Sequence, residues 1–256
     1  MTDPDRSIAT LRASHERLRA LVEPMSAGEL GQTSFCSDWS VAQVLSHIGS
    51  QAEILGGFLA AALAGQPEPG SDTFPAVWET WNARSPEEQR TDSLAANERA
   101  IVDIEAVGEP IRTDLQISMF GGFLTVDVPG FARLRLIEHA IHSWDIAVTL
   151  DASAVIDPDA VALIVDQLPA LVGRFAQPLD GLRLRVDESD PTSSWLLAPG
   201  AEGFEPYVDQ PVVGTLAVPA EQLIRLVYGR LRPGDDLVLD AAGTTVADLQ
   251  KVFPGP

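Results

Sequence analysis

The feature that most constrains this chain is a change in its hydrophobic periodicity near residue 176. Before that point, helical spacing of apolar residues and helix-start signals mark residues 5–24, 40–55, 85–107, 129–150 and 158–175. Beyond the linker-like segment 176–181, alternating runs typical of half-buried strands predominate. This order of elements predicts an α+β fold, with a helical bundle at residues 1–176 and a small α+β domain at residues 182–256.

Local signals fix several of the expected boundaries. Ser40 is predicted to cap the second helix, and Ser85 with Glu88 forms a capping box at the start of the third. Gly121 and Gly122 predict the turn of a small hairpin. In the C-terminal third we expect strands over 182–186, 194–197, 212–218 and 236–240, and helices over 220–231 and 246–252.

The composition excludes several kinds of partner. Asp and Glu number 37 against 17 Lys and Arg, which gives a formal net charge of −20. Such a surface repels phosphate backbones and anionic lipids, so we expect neither a nucleic acid nor a membrane as partner. The most apolar run, residues 54–65, is too short to span a bilayer, and the first residues lack a signal-peptide pattern. A cytoplasmic protein is the expectation.

Single residues exclude further chemistry. Lys251 is the only lysine and lies almost at the C-terminus, which disfavours a P-loop or a Schiff-base enzyme. Cys36 is the only cysteine, so a multi-cysteine metal cluster is excluded. Its thiol is interpreted as a small buried apolar group, with a nucleophilic role as the alternative.

The fourth predicted helix carries the strongest chemical signal. Its apolar seam is predicted to comprise Leu134, Ile137, Ile141, Trp144 and Val148. Glu138, His142 and Asp145 each follow a seam residue by one position and therefore form a polar line at the edge of the buried face. Glu138 and His142 are four residues apart, one turn above the other, and can bind one metal ion from a single helix.

A catalytic metal needs a third ligand, and His47 in the second predicted helix is the candidate. If the two helices face each other, two histidines and one carboxylate suit Zn²⁺, with Ni²⁺, Fe²⁺ or Mn²⁺ left open. The alternative is a set of hydrogen-bonded core histidines, with Glu138 paired to a neighbouring arginine. His139 and His15 are expected to be exposed.

Two segments resemble one known family. Residues 36–48, with Trp39 and His47, resemble the tryptophan-to-histidine segment of the mycothiol-dependent maleylpyruvate isomerase family, and residues 135–147, with the pattern Glu-x-x-x-His-x-x-Asp, resemble its second motif. The resemblance implies a DinB-like four-helix bundle with a smaller C-terminal domain, and metal ligands at His47, Glu138 and His142. It assigns Asp145 either to holding the imidazole of His142 or to stabilising the helix, and we interpret Trp39 as structural.

The family resemblance extends to residues 226–230, a leucine-rich helix ending in Gly-Arg. It implies that Arg230 is a catalytic and cofactor-binding residue that reaches toward the active site and binds a carboxylate of thiol or substrate; a surface salt bridge is the alternative. The implied protein is a divalent-metal-dependent enzyme, with Zn²⁺ as the first choice and mycothiol or a similar low-molecular-weight thiol as co-substrate. It would catalyse S-transfer or cis–trans isomerisation of a small electrophile, as a monomer or homodimer in an actinobacterial cytoplasm.

Three other functions remain open on the sequence alone. The first is a metal-dependent hydrolase, in which water replaces the thiol. The second is a non-catalytic protein that binds a small ligand on the same bundle. The third is an iron enzyme of sulfur-containing histidine betaine synthesis, although its usual oxygenase domain does not fit within 256 residues.

Overall fold

The computed structural model describes residues 4–189, 192–200 and 203–255. The chain divides into two compact units, Met1–Ala160 and Val161–Pro256. Described one by one, the units are a helical bundle and a small sheet with helices, which confirms the predicted α+β class.

Among its described residues, the first unit contains six complete α-helices and one hairpin. The helices are α1 (Pro4–Val22), α2 (Ala27–Leu30), α3 (Val41–Ala64), α4 (Phe74–Asn82), α5 (Pro86–Glu105) and α6 (Val128–Leu150). Packing of α1 on α5 and α6, and of α3 on α5 and α6, makes α1, α3, α5 and α6 the four-helix bundle. Part of its core is a buried cluster that contains Leu18, Val22, Val41, Val44, Leu45, Ile48 and Ile146.

The helix starts follow the predicted caps. Ser40 and Ser85 each form a capping box, with Gln43 and Glu88 respectively. The start of α6 is capped by Asp127, whose side chain accepts from the backbone N–H of Gly130. These local bonds satisfy backbone N–H groups that the first helical turn leaves unpaired, and the starts of α3 and α5 were predictable from the sequence for this reason.

Several helical details differ from the sequence prediction. The short helix α2 was missed, and the helix expected over 220–231 ends at Val227, where Gly229 follows with a positive φ. The helix α4 was missed, although Trp81 on its inner face is 1% exposed and packs against α3. The helix expected over 158–175 is interrupted: α7 (Pro158–Ile164) and α8 (Leu168–Phe175) are separated by a tighter turn at Val165–Gln167. Pro169 explains the break, because it lacks the N–H that a continuous helix needs and is tolerated only in a first turn.

The hairpin between α5 and α6 forms as predicted. Its strands are β1 (Ile117–Met119) and β2 (Leu124–Val126), which pair antiparallel, with Gly121 and Gly122 in the turn. Both glycines have positive φ, a conformation that costs glycine little. Within the described ranges, no helix has the length and apolar character needed to cross a membrane.

In the described part of the second unit, five strands form one mixed sheet. Its strands are β3 (Leu184–Ser189), β4 (Ser193–Ala198), β5 (Gly203–Pro206), β6 (Gly214–Pro219) and β7 (Val238–Ala241). Their order is β5-β4-β3-β6-β7, with β3 and β6 parallel and the other pairs antiparallel. The sequence missed β5. The helices α9 (Ala220–Val227) and α10 (Val246–Val252) also belong to this unit.

The division between the units falls inside α7, before the linker-like segment predicted at residues 176–181. The reason is packing: α8 lies against β5 and α9 and is therefore grouped with the sheet. The domain limits 1–176 and 182–256 stay a prediction.

Candidate metal centre

Three side chains predicted as metal ligands converge in the first unit. His47 Nε2 lies 3.7 Å from Glu138 Oε2, and His142 Nε2 lies 3.6 Å from the same oxygen. One ligand atom from each residue lies within 4.8 Å of the others. The sequence-predicted set of His47, Glu138 and His142 is therefore brought together by the fold.

Two helices position these groups. His47 lies two turns into α3, whose start is fixed by the Ser40 capping box. Glu138 and His142 lie one turn apart on α6, and α3 packs directly against α6. The set therefore combines a local spacing along one helix with one residue from a neighbouring helix.

The geometry and chemistry of the set fit a divalent metal. In a tetrahedral zinc site with bonds near 2.0–2.1 Å, neighbouring ligand atoms are roughly 3.4 Å apart. The two Glu138–histidine distances exceed that value by only a few tenths of an ångström. The side chains of His47 and Glu138 are 26% and 31% exposed, so a bound metal would keep an open face.

Asp145 contacts the imidazole of His142 from the side opposite Glu138. His142 Nδ1 lies 2.8 Å from Asp145 Oδ2, and the thiol of Cys36 donates to the same oxygen at 3.2 Å. Cys36, His142 and Asp145 also place ligand atoms within 4.8 Å of one another. Because Asp145 is fully buried and binds Nδ1, its position suits holding the ring while Nε2 faces Glu138.

The three groups perturb each other's protonation. Burial alone would raise the pKa of Glu138, but the neighbouring imidazoles of His142 and His47 hold this pKa well below its usual value. Burial alone would lower the pKa of His142, but Asp145, Cys36 and Glu138 raise it well above the usual value. For His47, burial is the largest cause and its pKa is lowered. The centre therefore holds an ionised carboxylate between two imidazoles of different basicity.

Two further side chains lie beside this centre, and one of them, Gln51, was missed from the sequence. Trp39, which we interpreted as structural, is 36% exposed and its ring centroid lies 5.0 Å from that of His47. Gln51 donates from Nε2 to Glu138 Oε2 at 2.8 Å. Gln51 follows His47 by one helical turn, a spacing that was available in the sequence as a signal.

Two histidine predictions were wrong. His139 and His15 were expected at the surface, but both are fully buried, with ring centroids 5.9 Å apart. Ser14 hydrogen-bonds His139 Nδ1 at 2.9 Å. Helix α1 packs against α6 and covers this face, which helical spacing within α6 alone does not reveal.

Arg230 lies in the second unit, just after α9. Its side chain donates to the backbone oxygen of Tyr228 and its guanidinium carbon lies 5.8 Å from the Tyr228 ring centroid. The residue is 6% exposed, so its side chain is buried. Its expected role in binding an anionic group stays a prediction.

The fold and the site together define a class: four-helix bundles that carry two histidines and one glutamate on facing helices, followed by a small mixed sheet. A profile described as the mycothiol maleylpyruvate isomerase N-terminal domain matches residues 11–147, which is more than half of the chain. The chain therefore belongs to that family. No protein of curated function matches the sequence significantly.

The fold is also found in solved structures. The chain is similar to the crystal structure of the mycothiol-dependent maleylpyruvate isomerase, with a TM-score of 0.69 and 16% sequence identity over 95% of each chain. A histidine-to-alanine mutant of the mycothiol-dependent maleylpyruvate isomerase matches equally well. At this level of identity the likeness shows a common fold over both units.

Proposed function

We propose that this protein is a mycothiol-dependent enzyme that isomerises a small electrophile or transfers the thiol to it. In this proposal His47, Glu138 and His142 bind a divalent metal ion, with Zn²⁺ as the first choice. The observation that carries the proposal is the convergence of these three ligand atoms within 4.8 Å in a chain of this family. When bound, such a metal would favour the thiolate form of a thiol in its open position and supply Lewis-acid activation.

The protein side chains have separate tasks in this reaction. Asp145 accepts from His142 Nδ1 and so leaves the Nε2 lone pair directed toward the metal position. Glu138 brings a negative charge that reduces the cost of binding a cation between two imidazoles. Trp39 forms an aromatic wall beside His47 at the partly exposed side of the centre. Arg230 is proposed to bind a carboxylate of the thiol or the substrate.

The chemistry balances without an oxidant or reductant. In isomerisation, the thiolate sulfur adds to one carbon of an activated double bond, the remaining single bond rotates, and the carbon–sulfur bond then breaks to release the same thiolate. In transfer, the carbon–sulfur bond is kept and a leaving group departs with its electron pair. Both reactions need the thiol as nucleophile, whereas a hydrolase would use water in its place.

The test is an isomerisation assay with maleylpyruvate as substrate, using zinc-loaded protein with and without mycothiol. We expect turnover that needs both mycothiol and the metal, and that is lost in Glu138→Gln. The matched control is Glu87→Gln, an exposed glutamate in α5. The same samples are assayed for thioether formation with an electrophile that carries a leaving group.

Each outcome distinguishes a function. Conversion of either substrate that requires mycothiol supports the proposed reaction class. Ester or amide hydrolysis by the zinc-loaded protein without thiol would favour the hydrolase. Zinc binding without turnover of any of these compounds would favour a non-catalytic small-ligand protein, and a chain that binds no divalent metal contradicts the proposed centre.

A further inference from the structure

Arg135 is a buried cation to which the proposed metal site assigns no role. It lies on α6, one turn before Glu138, and is 2% exposed. Its Nη1 donates to Gln51 Oε1 at 3.0 Å and its Nη2 to Asn97 Oδ1 at 2.8 Å. Among the described side chains no carboxylate forms an ion pair with it. Burial lowers the pKa of Arg135 to about 10, so it remains charged near neutral pH.

The direction of these hydrogen bonds follows from chemistry. A guanidinium group only donates, so the amides of Gln51 and Asn97 must both turn their oxygens toward Arg135. The amide nitrogen of Gln51 then faces away from Arg135 and donates to Glu138 Oε2 at 2.8 Å. The amide nitrogen of Asn97 donates to the backbone oxygen of Ser93 at 2.9 Å, which keeps the amide oxygen of Asn97 turned toward Arg135.

We propose that Gln51 is a positioning residue for the metal ligand Glu138, and that Arg135 acts through Gln51 by fixing the orientation of its amide. The inference rests on the proposed metal-binding function. The oxygen that accepts from Gln51 is the same Glu138 oxygen that lies nearest to His47 and His142. The hydrogen bond from Gln51 therefore holds Glu138 Oε2 in the position that is close to both imidazoles.

A direct electrostatic effect of Arg135 has the opposite sign. A positive charge one turn from Glu138 repels a bound cation, so removal of the charge alone would tighten metal binding. If Arg135 acts through Gln51, its removal frees the amide to turn its oxygen toward the carboxylate, and metal binding weakens. The sign of the change in Kd therefore separates the two effects.

The experiment measures the Kd for Zn²⁺ by competition with a chromophoric chelator, on the full chain stripped of metal. The variants are Gln51→Met, Arg135→Met and the double variant, with Gln66→Met as an exposed glutamine control. We expect Gln51→Met to raise the Kd by about 10- to 100-fold, as loss of a hydrogen-bond partner of a metal ligand does. Arg135→Met should raise it as well, and the double variant should not exceed Gln51→Met.

Folding is checked by circular dichroism and by the unfolding midpoint without metal. Gln51→Leu, which also lacks a donor and an acceptor, replaces Gln51→Met if that variant does not fold, and either one decides the role of Gln51. An unchanged Kd in the Gln51 variant overturns the proposal, as does tighter binding in Arg135→Met or additive effects in the double variant. If the wild-type chain binds no zinc, the failure lies with the proposed function itself.

Discussion

His142 Nδ1 and Asp145 Oδ2 lie 2.8 Å apart on one buried turn of α6. The contact gives the imidazole two distinct sides, with Nδ1 held by a carboxylate and Nε2 turned toward Glu138. A histidine that ligates a metal commonly has this arrangement, because the second contact fixes the tautomer and the ring orientation. The relationship also couples the loop residue Cys36 to the centre, since its thiol donates to the same oxygen.

Asp145→Asn is expected to weaken zinc binding by about 10- to 100-fold while the chain still folds. The amide is similar in size and still offers an oxygen to His142 Nδ1, but without the negative charge that strengthens this bond. The measurement is the Kd for Zn²⁺ by chelator competition, with Asp103→Asn as an exposed aspartate control on α5. An equal Kd for Asp145→Asn and wild type would show that Asp145 only stabilises the helix.

Zinc is expected to raise the thermal unfolding midpoint of the wild-type chain. A ligand that binds only the folded state stabilises it by mass action, by about 4 kcal/mol when the free ligand is at 1,000 times its Kd. In His142→Ala and His47→Ala the zinc-dependent shift should largely disappear. Calorimetry with added zinc or added chelator tests this. A wild-type unfolding midpoint that changes with neither zinc nor chelator would contradict metal binding by the folded chain.

Gly49→Ala is expected to destabilise the first unit by about 1–2 kcal/mol. A methyl group at position 49 would overlap the ring of Trp81, and such overpacking outweighs the gain in helix propensity. The control is Gly56→Ala in the same helix, where nothing lies within 4 Å of an added Cβ. That substitution should stabilise by about 1 kcal/mol or less. Urea unfolding followed by tryptophan fluorescence compares the two; equal effects would contradict the close packing of Trp81 on α3.

Protonation of His15 is expected to lower the free energy of unfolding as the pH falls. Burial and the neighbouring Arg19 lower the pKa of His15, which Glu98 only partly opposes, so the folded chain resists a proton that the unfolded chain accepts near pH 6.5. Stability from this group is complete above that pH and is lost as the pH drops below it. The difference in unfolding free energy between wild type and His15→Gln should therefore decline from pH 7.5 to 5.5.

The pH experiment is done with a chelator present, so that metal binding does not contribute. Comparison with His15→Gln removes the common effects of the titrating groups that do not interact with His15. A difference in unfolding free energy that stays constant or grows as the pH falls would show that His15 is not held neutral in the folded chain.

The sequence by itself determined the features that depend on neighbours along the chain. Ser40 and Ser85 start helices because their side chains accept hydrogen bonds from backbone N–H groups three residues further along the chain. Glu138 and His142 share one face of α6 because they are four residues apart, and Asp145 is near enough to reach the same imidazole. These geometries are set within one or two helical turns and need no tertiary contact.

Only the tertiary structure decided which surfaces meet. Helical spacing does not say that His47 faces Glu138, that Arg135 hydrogen-bonds to Gln51, or that α1 buries His15 against α6. These relationships join residues far apart in sequence, and they depend on how whole helices rotate and pack to bury their apolar sides. The candidate ligands on one helix were therefore predictable from the sequence, whereas the side chains that contact them from other helices became visible only in the packed bundle.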